Sequence, residues 1–244
     1  MNIVKVANYE SMSLKACEKL TSFLKTTDNP VLGLATGSTP EGLYRCLIEK
    51  QQQGEISFNN TTTFNLDEYV GLKGNDPNSY RYFMNDKLFD HIDIQLENTH
   101  IPNGETSDMN AECETFEKEL KEKGPVDIQI LGLGLNGHIG FNEPGTPFNS
   151  RTHVVELDES TRQANSRFFS SIDEVPKHAI TMGIDTIMES KEIILLVSGE
   201  NKAEAVKKLV QGEVTEEFPA SILQKHSNVT IIADEAALSQ IKEV

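Results

Sequence analysis

Short runs of β-branched and aliphatic residues alternate along this chain with stretches in which apolar positions recur every three or four residues. The runs Ile3–Val6, Val31–Ala35, Thr62–Asn65, Asp127–Leu131, Ile193–Val197 and Val229–Ala233 predict strands. Amphipathic spacing predicts helices over Ser11–Leu24, Glu41–Lys50, Tyr80–Phe89, Asn110–Lys121, Lys202–Val210 and Ala236–Lys242. Regular alternation of the two favours an α/β architecture, a largely parallel sheet with helices on both faces. In such a sheet ligands bind beyond the carboxyl ends of the strands. Chemistry is therefore expected in the loops after Ala35, Asn65, Leu131 and Val197. No repeat, low-complexity tract or linker interrupts the pattern, which predicts a single domain over residues 1–244.

Charge narrows the range of partners. The formal net charge is −16, a surface that repels nucleic acid and anionic membranes, so neither is an expected partner. An anionic ligand would need positive charge supplied locally. The start of the chain lacks the charged and apolar regions of a signal peptide, and no apolar run approaches a membrane span of about 20 residues. Cys17, Cys46 and Cys113 form an odd, scattered set, which suggests reduced thiols and a cytoplasmic protein.

Four segments hold candidate chemistry. In Thr36–Gly37–Ser38–Thr39, hydroxyls and amides precede a helix that Pro40 can open with Thr39 as N-cap. Such a loop can hold a phosphate or can be simply the start of a capped helix, and both readings stand. At Phe64–Asn65–Leu66–Asp67–Glu68 an apolar strand runs into two carboxylates. One of them can face inward beside an apolar wall, with the raised pKa that suits a general base; either can instead be a cap or a solvated turn residue. Gly132, Gly134 and Gly137 match a dinucleotide-binding pattern, but Gly140 and Pro144 forbid the long helix which that pattern requires. What remains is a permissive loop displaying His138 and Glu143, in which the carboxylate can orient the imidazole for acid–base work near neutral pH. No second His or Cys stands at ligand spacing, so no metal site is predicted. The fourth segment is a pair of cations, Arg167 and Lys202, suited to an anion. His91, His100, His153, His178 and His226 have no comparable setting.

Taken together, Leu34–Pro40, Phe64–Tyr69, Gly137–Pro144, Ala164–Phe169 and the Ser198–Ala203 stretch resemble, in order and across most of the chain, the glucosamine-6-phosphate deaminase family. The resemblance implies a modified Rossmann-like three-layer α/β/α sandwich. It also implies conversion of D-glucosamine 6-phosphate and water to D-fructose 6-phosphate and ammonium, with no cofactor. On that basis His138, oriented by Glu143, opens the sugar ring, and Asp67 moves a proton from C2 to C1. Thr36, Gly37, Ser38, Thr39, Arg167 and Lys202 hold the phosphate. One departure is Asn136, where many members have Asp. It can hydrogen-bond His138 but brings no charge, so the relay leans on Glu143. The segment Gly145–Val155 also lacks most of the basic residues through which longer members respond to N-acetylglucosamine 6-phosphate, and the chain stops at Val244. Weak or absent activation and a monomer or small homo-oligomer are the corresponding expectations. Rival readings are a 6-phosphogluconolactonase, which shares the Gly-rich loop and its His but lacks Phe141–Pro144, and a galactosamine-6-phosphate enzyme. A sugar-phosphate sensor is a third, disfavoured because the chain opens on a core strand and is acidic.

Overall fold

The computed structural model describes residues 1–157, 159, 162–163, 166 and 169–241. The elements along the chain are β1 (Asn2–Val6), α1 (Tyr9–Leu24), β2 (Val31–Leu34), α2 (Glu41–Gln52), β3 (Thr62–Asn65), β4 (Asp67–Tyr69), α3 (Tyr80–Lys87), β5 (Thr99–His100) and α4 (Met109–Lys123). They continue with β6 (Ile128–Gly132), β7 (His153–Glu156), β8 (His178–Thr181), α5 (Ile184–Met188), β9 (Glu192–Val197), α6 (Ala203–Gln211) and β10 (Val229–Asp234).

Seven strands form one parallel sheet in the order β1-β10-β9-β6-β2-β3-β5. Successive residues of β9 explain why it reads as an unbroken apolar run. Ile193, Leu195 and Val197 join one core beneath α4, α5 and α6, while Ile194 and Leu196 join another beneath α1, α2 and α3. Both faces are covered, so both sets must be apolar. Each such side chain contributes roughly 1.5–3 kcal/mol by leaving water. The expected α/β/α layering is present.

Five of the six predicted helices and all six predicted strands are present with ends shifted by a few residues. The sixth helix, Ala236–Lys242, is not one: residues 235–240 make consecutive turns, with Leu238 donating to Asp234 and Ser239 to Ala236. The Asp234 carboxylate is engaged by Gly199 and Ala237 amides and by the Ser198 hydroxyl, which ties the strand end to a neighbouring loop. Lys242 lies outside the described residues. The expectation of three free thiols is corrected at two: Cys17 and Cys46 meet as a disulfide across the α1–α2 contact, with Cα atoms 6.1 Å apart, leaving Cys113 free. Sequence spacing could not pair them, because the pairing follows from how the two helices pack. No helix among the described residues is long and apolar enough to cross a membrane.

A second, antiparallel sheet of β4, β8 and β7 was not anticipated. Its three-residue strand β4 contains two carboxylates and exists only because Asp67 and Glu68 pair with Thr181 and Ile180 far along the chain. Glu117 of α4 ties this sheet to the body. It accepts from the Thr152 amide (2.9 Å) and hydroxyl (2.6 Å), from the Thr186 hydroxyl (2.6 Å) and from Arg151 (2.6 Å). Burial pushes its carboxyl up, but these donors outweigh burial and hold it below the usual range. The depressed native pKa means that Glu117 contributes stability above its unfolded value, and that this contribution is lost as pH falls through the lowered native value. Glu117→Gln should therefore lower Tm at pH 7, with the gap to the parent protein closing as pH falls below about 4. Thermal melts across pH check this, and a gap independent of pH would exclude it.

Candidate active site

The strand order reverses between β6 and β2: β2, β3 and β5 step outward on one side, and β6, β9 and β10 on the other. Loops leaving the two central strands diverge there and open a crevice at their carboxyl ends. A cavity of about 620 Å³ occupies it, lined by Thr36–Thr39 after β2, Asp67 at the start of β4, Gly132–Asn136 and His138 with Gly140 and Phe141 after β6, Tyr80 of α3, and Lys202. Three of the four loops singled out from sequence thus meet in one place, with Lys202 as the fourth contribution. Arg167 lies outside the described residues.

Asp67, which lines the cavity, is 7% exposed. Its carboxylate accepts no hydrogen bond from the described residues. Burial, and secondly the adjacent Glu68 charge, push its pKa up to about 8. The two carboxylates have divided the two readings of this pair. Glu68 turns the other way and accepts from the amides of Tyr69 (2.8 Å), Tyr80 (2.9 Å) and Arg81 (2.9 Å), so it organises the start of α3. Tyr80, positioned by that turn, stacks on Phe141 with ring centroids 6.0 Å apart, and burial raises its phenol far above the usual range. These rings form the apolar wall. Tyr80 was not picked out from sequence, where an aromatic at a helix start carries no distinguishing signal, and Phe141 entered only as part of the Gly137–Pro144 motif, with no role of its own.

Beside Asp67 is the glycine-rich loop. The Nδ1 of His138 lies 3.6 Å from Oε2 of Glu143, within ion-pair range but longer than a hydrogen bond. Asn136 does not touch the imidazole as anticipated. Its Oδ1 accepts from the His138 main-chain N–H (3.2 Å), and its Nδ2 donates to Glu143 Oε2 (2.6 Å). It therefore holds the carboxylate that faces the ring. Gly137 has φ +87°, and a Cβ there would lie 2.3 Å from the Phe218 ring, so only glycine permits this turn. Phe218 and its neighbours back the loop, with Ala220 donating to Gly137 O (2.8 Å) and Gly145 to Glu216 O (2.9 Å). As expected, no helix follows this loop; the next element is β7.

A second set of groups lining the cavity is suited to an anion. Among the described residues, the backbone N–H groups and hydroxyls of Thr36, Ser38 and Thr39 have no protein partner. Thr39 is not the N-cap: Pro40 occupies that position, and no side chain on the loop caps the helix. Beneath the loop the buried Tyr44 hydroxyl donates to Ala35 O and anchors its start. The Lys202 ammonium donates to Leu133 O at 2.7 Å, and burial lowers its pKa. A short 3₁₀ turn, Glu200–Lys202, carries it ahead of α6.

The arrangement combines a desolvated carboxylate, an imidazole backed by a second carboxylate, and an anion cradle. The protein family described as "Glucosamine-6-phosphate isomerases/6-phosphogluconolactonase" matches residues 5–232. The chain belongs to this family. It is 60% identical over 241 residues to the glucosamine-6-phosphate deaminase of Oceanobacillus iheyensis, covering 99% of this chain and 96% of that protein. A solved structure of a monomeric glucosamine-6-phosphate deaminase superposes with a TM-score of 0.96 at 54% identity, covering 98% of this chain and 99% of that one. The 6-phosphogluconolactonase of Thermotoga maritima superposes with a TM-score of 0.76 at 19% identity, covering 96% and 99%; at that identity the likeness is one of fold.

Keeping Asp67 buried has a thermodynamic signature. Its raised native pKa means that the folded state binds the extra proton between about 4 and 8, so stability is full below the unfolded value and falls as pH rises through 8. Asp67→Asn removes the titrating group and should melt higher than the parent at pH 8, with a smaller gap at pH 5. A gap of the same size at both pH values would contradict the burial argument.

Proposed function

We propose that the protein converts D-glucosamine 6-phosphate and water to D-fructose 6-phosphate and ammonium. One observation carries this reading: a single cavity joins the desolvated Asp67 and the His138–Glu143 pair to the unpaired amides of Thr36–Thr39 and the Lys202 ammonium. Acid–base groups for an amino sugar and a phosphate cradle thus line the same cavity. The relatives named glucosamine-6-phosphate deaminase, matched over nearly the whole chain, support the same substrate.

In this mechanism His138, with Glu143 behind it, carries the proton from the anomeric hydroxyl to the ring oxygen, and the pyranose opens to the aldehyde. Asn136 holds Glu143 in line. Asp67, as carboxylate, takes the C2 proton and delivers it to C1, which transfers the double bond to C2 as an imine. Water adds at C2, and the nitrogen leaves as ammonium. The phosphate is bound by the Thr36, Gly37, Ser38 and Thr39 loop with Lys202, and Arg167 is the second cation. Each positioned proton transfer of this kind contributes about 10²–10⁴ in rate.

The protein acts as a monomer without strong activation by N-acetylglucosamine 6-phosphate. Support comes from the monomeric relative and from Arg151, whose guanidinium is already matched by Glu117, Asp185 and Glu189. A phosphorylated sugar as substrate is in keeping with a cytoplasmic site of action.

Ammonium release from glucosamine 6-phosphate and from its galacto epimer, measured in parallel with hydrolysis of 6-phosphogluconolactone, decides the substrate. Ammonium from the gluco sugar is expected, and none from either amino sugar removes the proposal. Asp67→Asn should lower kcat by at least about 10² and abolish exchange of the C2 proton with solvent; retained exchange assigns the base elsewhere. Because the base must be ionised, kcat/KM should rise with pH through about 8. Rate curves should be hyperbolic with and without N-acetylglucosamine 6-phosphate, whereas a sigmoidal curve straightened by it would contradict the monomeric, unregulated form.

A further inference from the structure

Among the described residues, the long helices begin with side-chain caps, save those that border the anion cradle. Asn8 caps α1, Ser79 caps α3 and Asp108 caps α4, each accepting from an amide of its own first turn. Helix α2 starts at Pro40 with no such bond, although its first-turn amides need acceptors. Tyr9, the first residue of α1, supplies one from outside. Its hydroxyl accepts from the Gly42 N–H (2.8 Å) and donates to the Ser38 carbonyl (2.9 Å).

The second bond matters most. The Ser38 carbonyl and the Thr39 N–H belong to one planar trans peptide and point in opposite directions. Drawing that carbonyl toward α1 turns the Thr39 N–H the other way and keeps a carbonyl oxygen, which would repel an anion, turned from the loop's free face. The brace itself is firmly seated. A Cβ on Gly42 would lie 2.2 Å from Ser13 Oγ and 3.1 Å from a Tyr9 ring carbon, so α1 and α2 touch here with no room to slide. Farther along the same contact Cys17 and Cys46 join them.

We infer that Tyr9 is a positioning residue of the phosphate subsite: it sets the Ser38–Thr39 peptide, and through it the affinity for a phosphoryl group, without touching the substrate. The inference rests on the phosphate reading of the Thr36–Thr39 loop. Tyr9→Phe removes only the hydroxyl. It should raise the KM for glucosamine 6-phosphate and the calorimetric Kd for inorganic phosphate by the same factor, about three- to tenfold, the loss of one or two neutral hydrogen bonds. It should leave kcat within about twofold, since no proton-transfer group moves. Met12→Ala, which hollows the buried face of α1, serves as the comparison. It should lower Tm more than Tyr9→Phe does while leaving the phosphate Kd unchanged. Unchanged phosphate affinity in Tyr9→Phe overturns the inference, as does an equal weakening in both variants or a loss confined to kcat. If the parent protein releases ammonium but binds no inorganic phosphate, the loop reading falls and takes the Tyr9 role with it, while the deaminase reading survives.

Discussion

Burial against aromatic walls keeps Asp67 out of water and raises its proton affinity at the expense of fold stability; in the proposed mechanism this is what makes it a strong enough base for a carbon acid near neutral pH. Much of the surrounding structure serves this one constraint. The antiparallel sheet pairs Asp67 with Thr181 and keeps β4 extended. Glu68 accepts the nearby amides, so the donors that would restore Asp67 to an ordinary pKa are engaged elsewhere. Glu117, by tying α4 to Thr152 and Thr186, anchors the sheet that carries the site.

On the proposed function the same cavity has to accept an anion within a protein of net charge −16. The answer is local rather than global. Backbone amides carry no net charge and cannot be neutralised by a neighbouring carboxylate, so a loop whose N–H groups are left free remains attractive to phosphate in an acidic field. Lys202 adds one full charge, partly desolvated and fixed by Leu133 O. Anion binding of this kind depends on peptide orientation, which is why a hydroxyl reaching over from α1 can matter to it.

Much of the site was legible before folding. The Gly-rich loop could be separated from a dinucleotide pattern because Gly140 and Pro144 bar a helix, and the structure has none there. Lys202 and the Thr36–Thr39 loop were found from their positions after predicted strands. What escaped was whatever depends on how partners, near or distant in sequence, are arranged by the fold. β4 looks like a polar turn until β8 arrives beside it. Asn136 was expected to bond the imidazole, yet bonds the main chain and Glu143. Cys17 and Cys46 looked unrelated until α1 and α2 packed, and the last predicted helix gave way to turns once Asp234 was tied to Gly199.

By itself the sequence determined the alternation of elements, the two-sided core and which loops could carry chemistry, because these follow from local periodicity and from backbone rules for glycine and proline. Only the tertiary structure decided which of two adjacent buried carboxylates is supplied with amide donors and which is not, what Asn136 holds, and that Tyr9 stands behind the anion loop. The reason is physical: pKa, hydrogen-bond partner and peptide orientation are properties of an environment, and that environment is assembled from residues a few to more than a hundred positions apart.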